Sequence, residues 1–510
     1  GRRAEPRGWR DVSGLIADLT HHLPALQVVV PLVAAPLCLL AGRAWLAWII
    51  AFAASASATV TATILAYLTF HNGAISYHMG GWAPPWGIEY VVDTANAFIL
   101  MLVSAISTVV LAYSPASVAR EIRPGSQHLF YCMFILCLTG LLGIAVTGDA
   151  FNVFVFLEIS SLSSYALIAM GGQRKALTAA FQYLIMGTIG ATFFLIGVGL
   201  LYMMTGTLNM ADMQARIPSL QDSRPVLAAF AFITVGLALK AALFPLHLWL
   251  PNAYAFAPSA VSAFMAATAT KVSLYVLLRF TFTIFGAKFA FLNLPLHWVL
   301  LVPAIIAMFA GSFSAIFQRD IKRMLAYSSI AQIGYITLGI SLASSAGIAA
   351  ALIHIFNHGL MKAALFCAIG CIFYRIGTTR IEQMAGLGRQ MPWTTTAIVV
   401  AGLSLLGVPL TAGFISKWYL VQAALQADLW WLVVLVVLSS MLALVYIWRL
   451  VEAMYFKEPP PGRGAVAEAP LSMLVPTLLL AGANIYFGID TRVPVAMSES
   501  AATLLLRGQM

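Results

Sequence analysis

Long apolar runs separated by short polar loops make up nearly the whole chain. The stretches 23–41 and 178–205 contain no charged residue at all. The runs are continuous rather than alternating, which favours helices over the roughly 10-residue alternating segments of a membrane barrel. A helix needs about 20 apolar residues to cross a bilayer. By that measure the sequence predicts spans near 23–41, 44–70, 88–113, 128–147, 150–170, 177–205 and 226–251. Seven more follow near 258–284, 297–317, 322–343, 346–376, 393–424, 428–456 and 467–489. The expected fold is thus an all-α polytopic membrane protein of about 14 transmembrane helices. The longest loops, 71–87 and 206–225, are too short for a soluble domain. The chain reads as one membrane domain, 1–510, with 1–22 as an N-terminal tail and no evident cleavable signal.

Composition agrees with this pattern. Hydrophobic residues are 61% and charged residues 9%, where soluble domains carry roughly 25% charged residues. That excludes a soluble globular enzyme, and it excludes disorder, which needs high charge and low hydrophobicity. The net charge of +10 would suggest nucleic acid in a soluble protein. Here the basic residues sit in short loops, where they set orientation instead, so no nucleic-acid partner is expected. Loops after odd-numbered spans hold fourteen Lys and Arg, against ten on the opposite side including four arginines in the tail. This bias puts both termini outside a cell (cytoplasmic) membrane. Cys38, Cys132, Cys137, Cys367 and Cys371 all lie in apolar runs without a C-x-x-C, so they read as small buried hydrophobes rather than zinc or iron–sulfur ligands. No cofactor or metal is expected.

Five ionisable residues contradict the apolar pattern. Lys240, Lys271, Lys362, Lys417 and Glu158 each lie inside a span, where a central charge costs about 2.5–3.5 kcal/mol on insertion scales. Structural ion pairing is one reading and ion translocation the favoured one. Burial weakens the proton affinity of an amine and raises that of a carboxyl, so both can approach the working pH range. His247 follows Lys240 by two turns if the helix is continuous. His354, His358 and Lys362 stand at i, i+4 and i+8, on one helix face. That pair of histidines suits a proton relay, a metal site or a plain core position. The metalloprotease pattern is missing, because Ile355 stands where Glu is required. His128 and His297, at span ends, read as structural. Two spans carry their Lys beside helix breakers: Lys240 with Pro245 and Pro251, and Lys417 with Gly407, Pro409 and Gly413. Broken helices at corresponding places in two halves are the mark of an ion site between inverted repeats. For Lys417 a second reading is snorkelling to the nearer surface.

These features resemble the proton-pumping antenna subunits shared by respiratory complex I and Mrp-type cation/proton antiporters. The most specific stretches are LKAALFPLHLWLPNAYAFAPSAVSAFMAATATKVSLY at 239–275 and RDIKRMLAYSSIAQIGY at 319–335. WAPPWGIEYVVDTANAFI and LLYMMTGTLNMADMQARI look most like the D-type component of the Mrp antiporter. The chain ends soon after the last span, so the lateral helix of the largest complex I antenna subunit is not expected. The resemblance implies two inverted five-helix repeats, helices 4–8 and 9–13, at 128–284 and 297–456, with helices 7 and 12 broken and a last helix at 467–489. It implies that Glu158 pairs with Lys240 in the inlet half-channel. Lys271 with His247 would link toward the centre, His354 and His358 would continue the row, and Lys417 would be the outlet group. The implied role is a proton-translocating subunit of a hetero-oligomeric Na⁺/H⁺ antiporter, with H⁺, Na⁺, the lipid bilayer and other subunits as partners. The alternatives are a homologous pumping subunit of an NADH:quinone oxidoreductase or membrane-bound hydrogenase, and a non-transporting scaffold bundle.

Overall fold

A computed structural model describes residues 20–507; most of the expected tail, 1–22, lies outside the described residues. The chain is predominantly helical, and eleven described helices are long and apolar enough to cross a membrane. The first six long helices are α1 (Leu23–Ala41), α2 (Ala44–Asn72), α3 (Thr94–Glu121), α4 (Gln127–Val146), α5 (Ala150–Ala169) and α6 (Arg174–Thr205). The third span therefore begins six residues later than the hydropathy suggests. Residues 88–92 are not helical: β2 (Glu89–Val92) pairs antiparallel with β1 (Ile75–His78), with Ile75 opposite Val92. The helix starts at Asp93 because that residue caps it. Asp93 Oδ1 accepts from the N–H groups of Ala95 and Asn96, and Asn96 Oδ1 accepts from the Asp93 N–H at 2.7 Å. Such reciprocal capping satisfies donors that a helix start leaves free.

The hairpin is anchored through Glu89, which accepts from Ser76 Oγ at 2.5 Å and from Asn209 Nδ2 at 2.8 Å. Asn209 caps α7 (Met210–Arg216), a short helix inside the expected loop 206–225. Asp93 also holds Arg279 in a buried ion pair of 2.7 Å, so this arginine is not the free loop charge that its sequence position suggests.

The seventh span is interrupted. α8 (Arg224–Lys240) stops at Lys240, and α9 (Leu250–Phe256) resumes after an unwound link. Pro245 has no N–H to continue the ladder. The helix closes instead with Ala242 in the left-handed region, at φ 56°, and with Leu243 N–H donating to Ala238 O at 2.9 Å. Such an ending satisfies terminal carbonyls. α10 (Ser259–Leu278) follows and continues through a π-helical turn, Arg279–Ile284. The next three helices are α11 (Leu296–Ile316), α12 (Ile321–Ser341) and α13 (Ser345–Ile376).

A second interruption follows the four-residue α14 (Leu387–Gln390). Here α15 (Pro392–Leu406) ends on Gly407 at φ 86°, and α16 (Ala412–Gln426) resumes. Gly413, expected as a breaker, lies inside α16. It serves close approach instead: a Cβ there would meet the Ser404 carbonyl oxygen at 1.7 Å. The chain ends with α17 (Trp430–Phe456), α18 (Leu471–Ile489) and α19 (Arg492–Leu505), the last packing on α3 and α13. α13 is buried along most of its length and touches α3, α10, α12, α15, α16, α18 and α19.

Gly413→Ala should lower stability by about 1–3 kcal/mol, the usual cost of overpacking, read as a fall in the thermal midpoint of the purified protein. Gly482→Ala, with nothing near its missing Cβ, should instead gain about 0.5–1 kcal/mol of helix propensity. An unchanged midpoint for Gly413→Ala would show that the two half-helices are not held this close.

Candidate functional site

The five charges expected inside spans fall into two groups. In the first, α6 and α8 touch where Gly190 and Gly236 lack side chains; a Cβ on Gly236 would lie 2.6 Å from Gly190 O. Lys240, one turn further, is buried there at the end of α8, and its Nζ donates to Ser161 Oγ on α5 at 2.5 Å. Glu158 stands one turn before Ser161. Its Oε1 is buried without a hydrogen-bond partner, and it makes no ion pair with Lys240. The expected pair is therefore near but not closed in this structure, because Ser161 takes the ammonium.

His247 is not two turns along the same helix as Lys240, since α8 ends at Lys240. It lies in the unwound link, stacked on Phe244 at 5.0 Å between ring centres, with Nδ1 buried and unpartnered. No hydrogen bond among the described residues joins it to Lys271. At the end of α8 the Leu239 carbonyl accepts from the Ala242 N–H at 3.1 Å, and Trp249 Nε1, from beyond the link, adds a second donor at 3.1 Å.

The second group lies where α10, α12, α13 and α16 meet. Lys271 on α10 is fully buried; its Nζ donates to Ala266 O and, at 3.4 Å, to Thr270 Oγ1. Opposite, α12 and α13 run antiparallel with polar stripes facing. Lys362 Nζ donates to Ser328 Oγ at 2.5 Å and to Leu325 O at 2.8 Å. His354 has both ring nitrogens engaged, with Gln332 Oε1 at 3.0 Å and Ser416 Oγ at 2.7 Å. Its nitrogens are thus not free for a metal, and no group of three or more His, Cys, Asp or Glu converges among the described residues. His358 lies between them, its ring 6.2 Å from that of His354 and nearly parallel to it. Both nitrogens of His358 are buried without a partner. Lys271 is within electrostatic range of His354, His358 and Lys362, so a proton on one is felt by the others.

Lys417 on α16 turns inward and closes the second break. Its Nζ donates to Leu405 O at 3.1 Å and Leu406 O at 2.9 Å, the last carbonyls of α15, and to Ser440 Oγ at 3.0 Å. It also lies over the Tyr335 ring at 4.8 Å. Tyr335 donates to Ser439 Oγ at 2.9 Å and packs against His354. Ser416, beside Lys417 in sequence, binds His354, which ties the Lys417 end of the row to its centre.

Several participants escaped the sequence reading: Ser161, Ser328, Gln332, Tyr335, Ser416 and Ser440. A signal existed for three of them. Ser328, Gln332 and Tyr335 stand at i, i+4 and i+7 in an apolar helix, one polar face. Lys322, counted as a loop charge, is buried as well. It donates to Ala257 O at 3.0 Å, while Glu121 accepts from the first N–H of α10 at 3.0 Å.

A sequence 43% identical over 92% of this chain and 96% of the relative is an NADH-quinone oxidoreductase subunit N from Desulforudis audaxviator. A second relative is the D-type component of a Na⁺/H⁺ antiporter from Alkalihalophilus pseudofirmus. It is 33% identical, covering 79% of this chain and 81% of its own length. Among solved structures, a chain of the Mrp complex from a Dietzia species superposes with a TM-score of 0.87 at 26% identity, covering 96% of this chain and 98% of that one. Residues 147–443, which hold every member of the buried row, match a single family. The chain belongs to the NADH:quinone oxidoreductase/Mrp antiporter transmembrane family.

Proposed function

We propose that this protein is the proton-translocating subunit of a hetero-oligomeric Na⁺/H⁺ antiporter in the cytoplasmic membrane, with H⁺ and Na⁺ as the exchanged ions and both termini outside. The observation that carries the reading is the buried row itself: four lysines and two histidines deep in apolar helices, most of them bound to hydroxyls or backbone carbonyls rather than to carboxylates. Structural ion pairing would need the opposite arrangement, each ammonium against a carboxylate. Hydroxyls both accept and donate, so Ser161, Ser328, Ser416 and Ser440 are suited to pass a proton between charged neighbours. The eleven long helices, α12 and the two interrupted spans make fourteen crossings on this reading. Segments 128–284 and 297–456 form two inverted repeats, each with one broken helix, and 467–489 is the last crossing.

In this scheme Glu158 and Lys240 form the inlet, and Ser161 holds Lys240 while the pair is open. Lys271 receives the proton, with His247 in the link beside the inlet. His358, His354 and Lys362 carry it along the middle, and Lys417 releases it at the outlet. The second reading, a pumping subunit of a redox-driven complex, is favoured by one observation, the 43% identity to an NADH-quinone oxidoreductase subunit N. It predicts proton movement that needs a redox partner and is indifferent to Na⁺. A scaffold role predicts that apolar replacements of all five charges leave transport intact.

Three outcomes test the scheme in vesicles containing the assembled complex. Glu158→Gln should abolish ΔpH-driven antiport while insertion and assembly persist; wild-type antiport in this variant would remove the inlet pair from the mechanism.

Lys271→Ala should lose transport, and Lys271→Arg should fail too, because Arg holds its proton throughout the working range. His354→Ala and His358→Ala should each slow exchange. If the double histidine variant exchanges ions at the wild-type rate, the middle of the row is not a relay.

Lys417→Ala and Lys417→Gln should block Na⁺-driven proton movement at matched expression, and Lys417→Glu should retain part of it, since a carboxyl also carries a proton. Full activity in the Ala and Gln variants would leave Lys417 as a structural clamp of the second break.

A further inference from the structure

The face with the excess of Lys and Arg holds a cleft that the transport reading does not use. It lies between α6, α9 and the first turn of α12. One cavity of about 260 Å³ is lined by Lys175, Gln182, Asn252, Phe256 and Arg323, among others. A second, of about 310 Å³, shares Lys175, Phe256 and Arg323 and adds Asp320, Thr379 and Arg380.

Three cations thus border the cleft against one carboxylate. That carboxylate is already occupied as a helix cap: Asp320 accepts from the Arg323 backbone N–H at 3.0 Å and from Thr379 Oγ1. It forms no ion pair with the Arg323 guanidinium, whose Nε is buried without a hydrogen-bond partner. Among the described residues Lys175 has no carboxylate partner either, and it rests over the Phe256 ring at 5.8 Å. A buried guanidinium N–H without an acceptor is costly, and three cations around one occupied carboxylate call for an anion.

The surroundings narrow the anion. Gln182 lies seven residues after Lys175, about 10 Å along the same helix. Its side chain and that of Asn252 bond each other at 2.9 Å on an exposed surface, polar groups where the helix otherwise shows hydrocarbon. Ile185 and Ile189, three and seven residues beyond Gln182, form an exposed apolar stripe deeper on its face of α6. Going inward, the order is cations, then amides, then hydrocarbon. A phospholipid presents the matching order of phosphate, glycerol esters and acyl chains. A soluble anion has no counterpart to the stripe, and an acidic protein side chain has none to the amides.

We propose that this cleft holds an anionic phospholipid, with its phosphate among Lys175, Arg323 and Arg380, its ester groups at Gln182 and Asn252, and an acyl chain along α6. Basic pockets between helices on the cytoplasmic side suit such head groups. The site does not depend on the proton path, since none of these residues belongs to the row.

The test uses the full chain in nanodiscs of phosphatidylcholine with or without cardiolipin, extracted into detergent and weighed by native mass spectrometry. The wild type should retain cardiolipin. Retention should fall about tenfold or more in the Lys175→Ala/Arg323→Gln variant, given the contribution of each cation near an anionic head group. Arg389→Gln/Arg449→Gln, an equal charge loss elsewhere on that face, should retain it. Gln182→Leu, which changes no charge, should weaken retention, and excess inorganic phosphate should not displace the lipid. Should the double variant not fold, Lys175→Ala alone, at an exposed position, reads the same site. Unchanged retention in the cleft variants, equal retention of phosphatidylcholine, displacement by inorganic phosphate, or a neighbouring subunit's carboxylate crosslinked to Lys175 in place of lipid would each overturn the proposal.

Discussion

A broken helix inside a membrane leaves carbonyls with no donor, and the arrangement of this protein depends on how those carbonyls are satisfied. Water at the bilayer centre is scarce, so each freed carbonyl must find a partner within the protein. At the first break the indole of Trp249 reaches back to Leu239 O, and Ala242 in the left-handed region closes the helix. At the second break the partner is an ammonium: Lys417 bonds Leu405 O and Leu406 O. The two interruptions look alike in sequence, each a Lys near Pro, yet they solve the same problem with different chemistry. In the first, the lysine is the last residue of the half-helix and is left free to face another helix. In the second, the lysine is itself the clamp.

That difference bears on the proposed transport. Lys240 gives its proton to no backbone group, so its partner can change between Ser161 and Glu158 without unmaking the break. Loss of one proton leaves Lys417 two N–H groups for three acceptors, so release withdraws the donor from one of Leu405 O, Leu406 O and Ser440 Oγ. On the proposed reading, release of the outlet proton is tied to the geometry of α15 and α16, while loading at the inlet is not. A carrier that clamps backbone in one state and frees it in another has the two discrete arrangements that coupling over distance requires.

Much of this was legible in the sequence. The apolar runs located most of the long helices to within a few residues, because lipid leaves little freedom in span length. The misplaced charges marked the row, and Pro245 and Gly407 marked the breaks. What failed was local. Residues 88–92 read as part of a span, but the cap at Asp93 and the pairing with Ile75–His78 withdrew them, interactions that hydropathy does not weigh. His247 was placed by helical spacing through a segment that is not helical. Gly413 was read as a breaker when its function is close packing against Ser404, visible only once two half-helices are side by side. Lys322 and Arg279 passed for loop charges, since their burial depends on Phe373, Ala257 and Asp93 arriving from distant parts of the chain.

The row is not continuous in this structure. Ser161, Lys240 and Glu158 form one cluster, and Lys271, Lys362, His358, His354 and Lys417 another. Within the second, nearly every polar atom has a partner: Lys362 has Ser328, His354 has Gln332 and Ser416, and Lys417 has Ser440. His358 alone in that cluster has neither ring nitrogen bonded, though it is flanked on one helix face by His354 and Lys362. A buried imidazole without partners costs free energy that its neighbours do not incur. Such a cost is tolerated where a group must accept and surrender a bond in turn, because permanent partners would raise the barrier to exchange. On the proposed reading, the mobile step in the middle of the row therefore falls at His358, between Lys271 on one side and the fixed Ser416–His354–Gln332 bridge on the other.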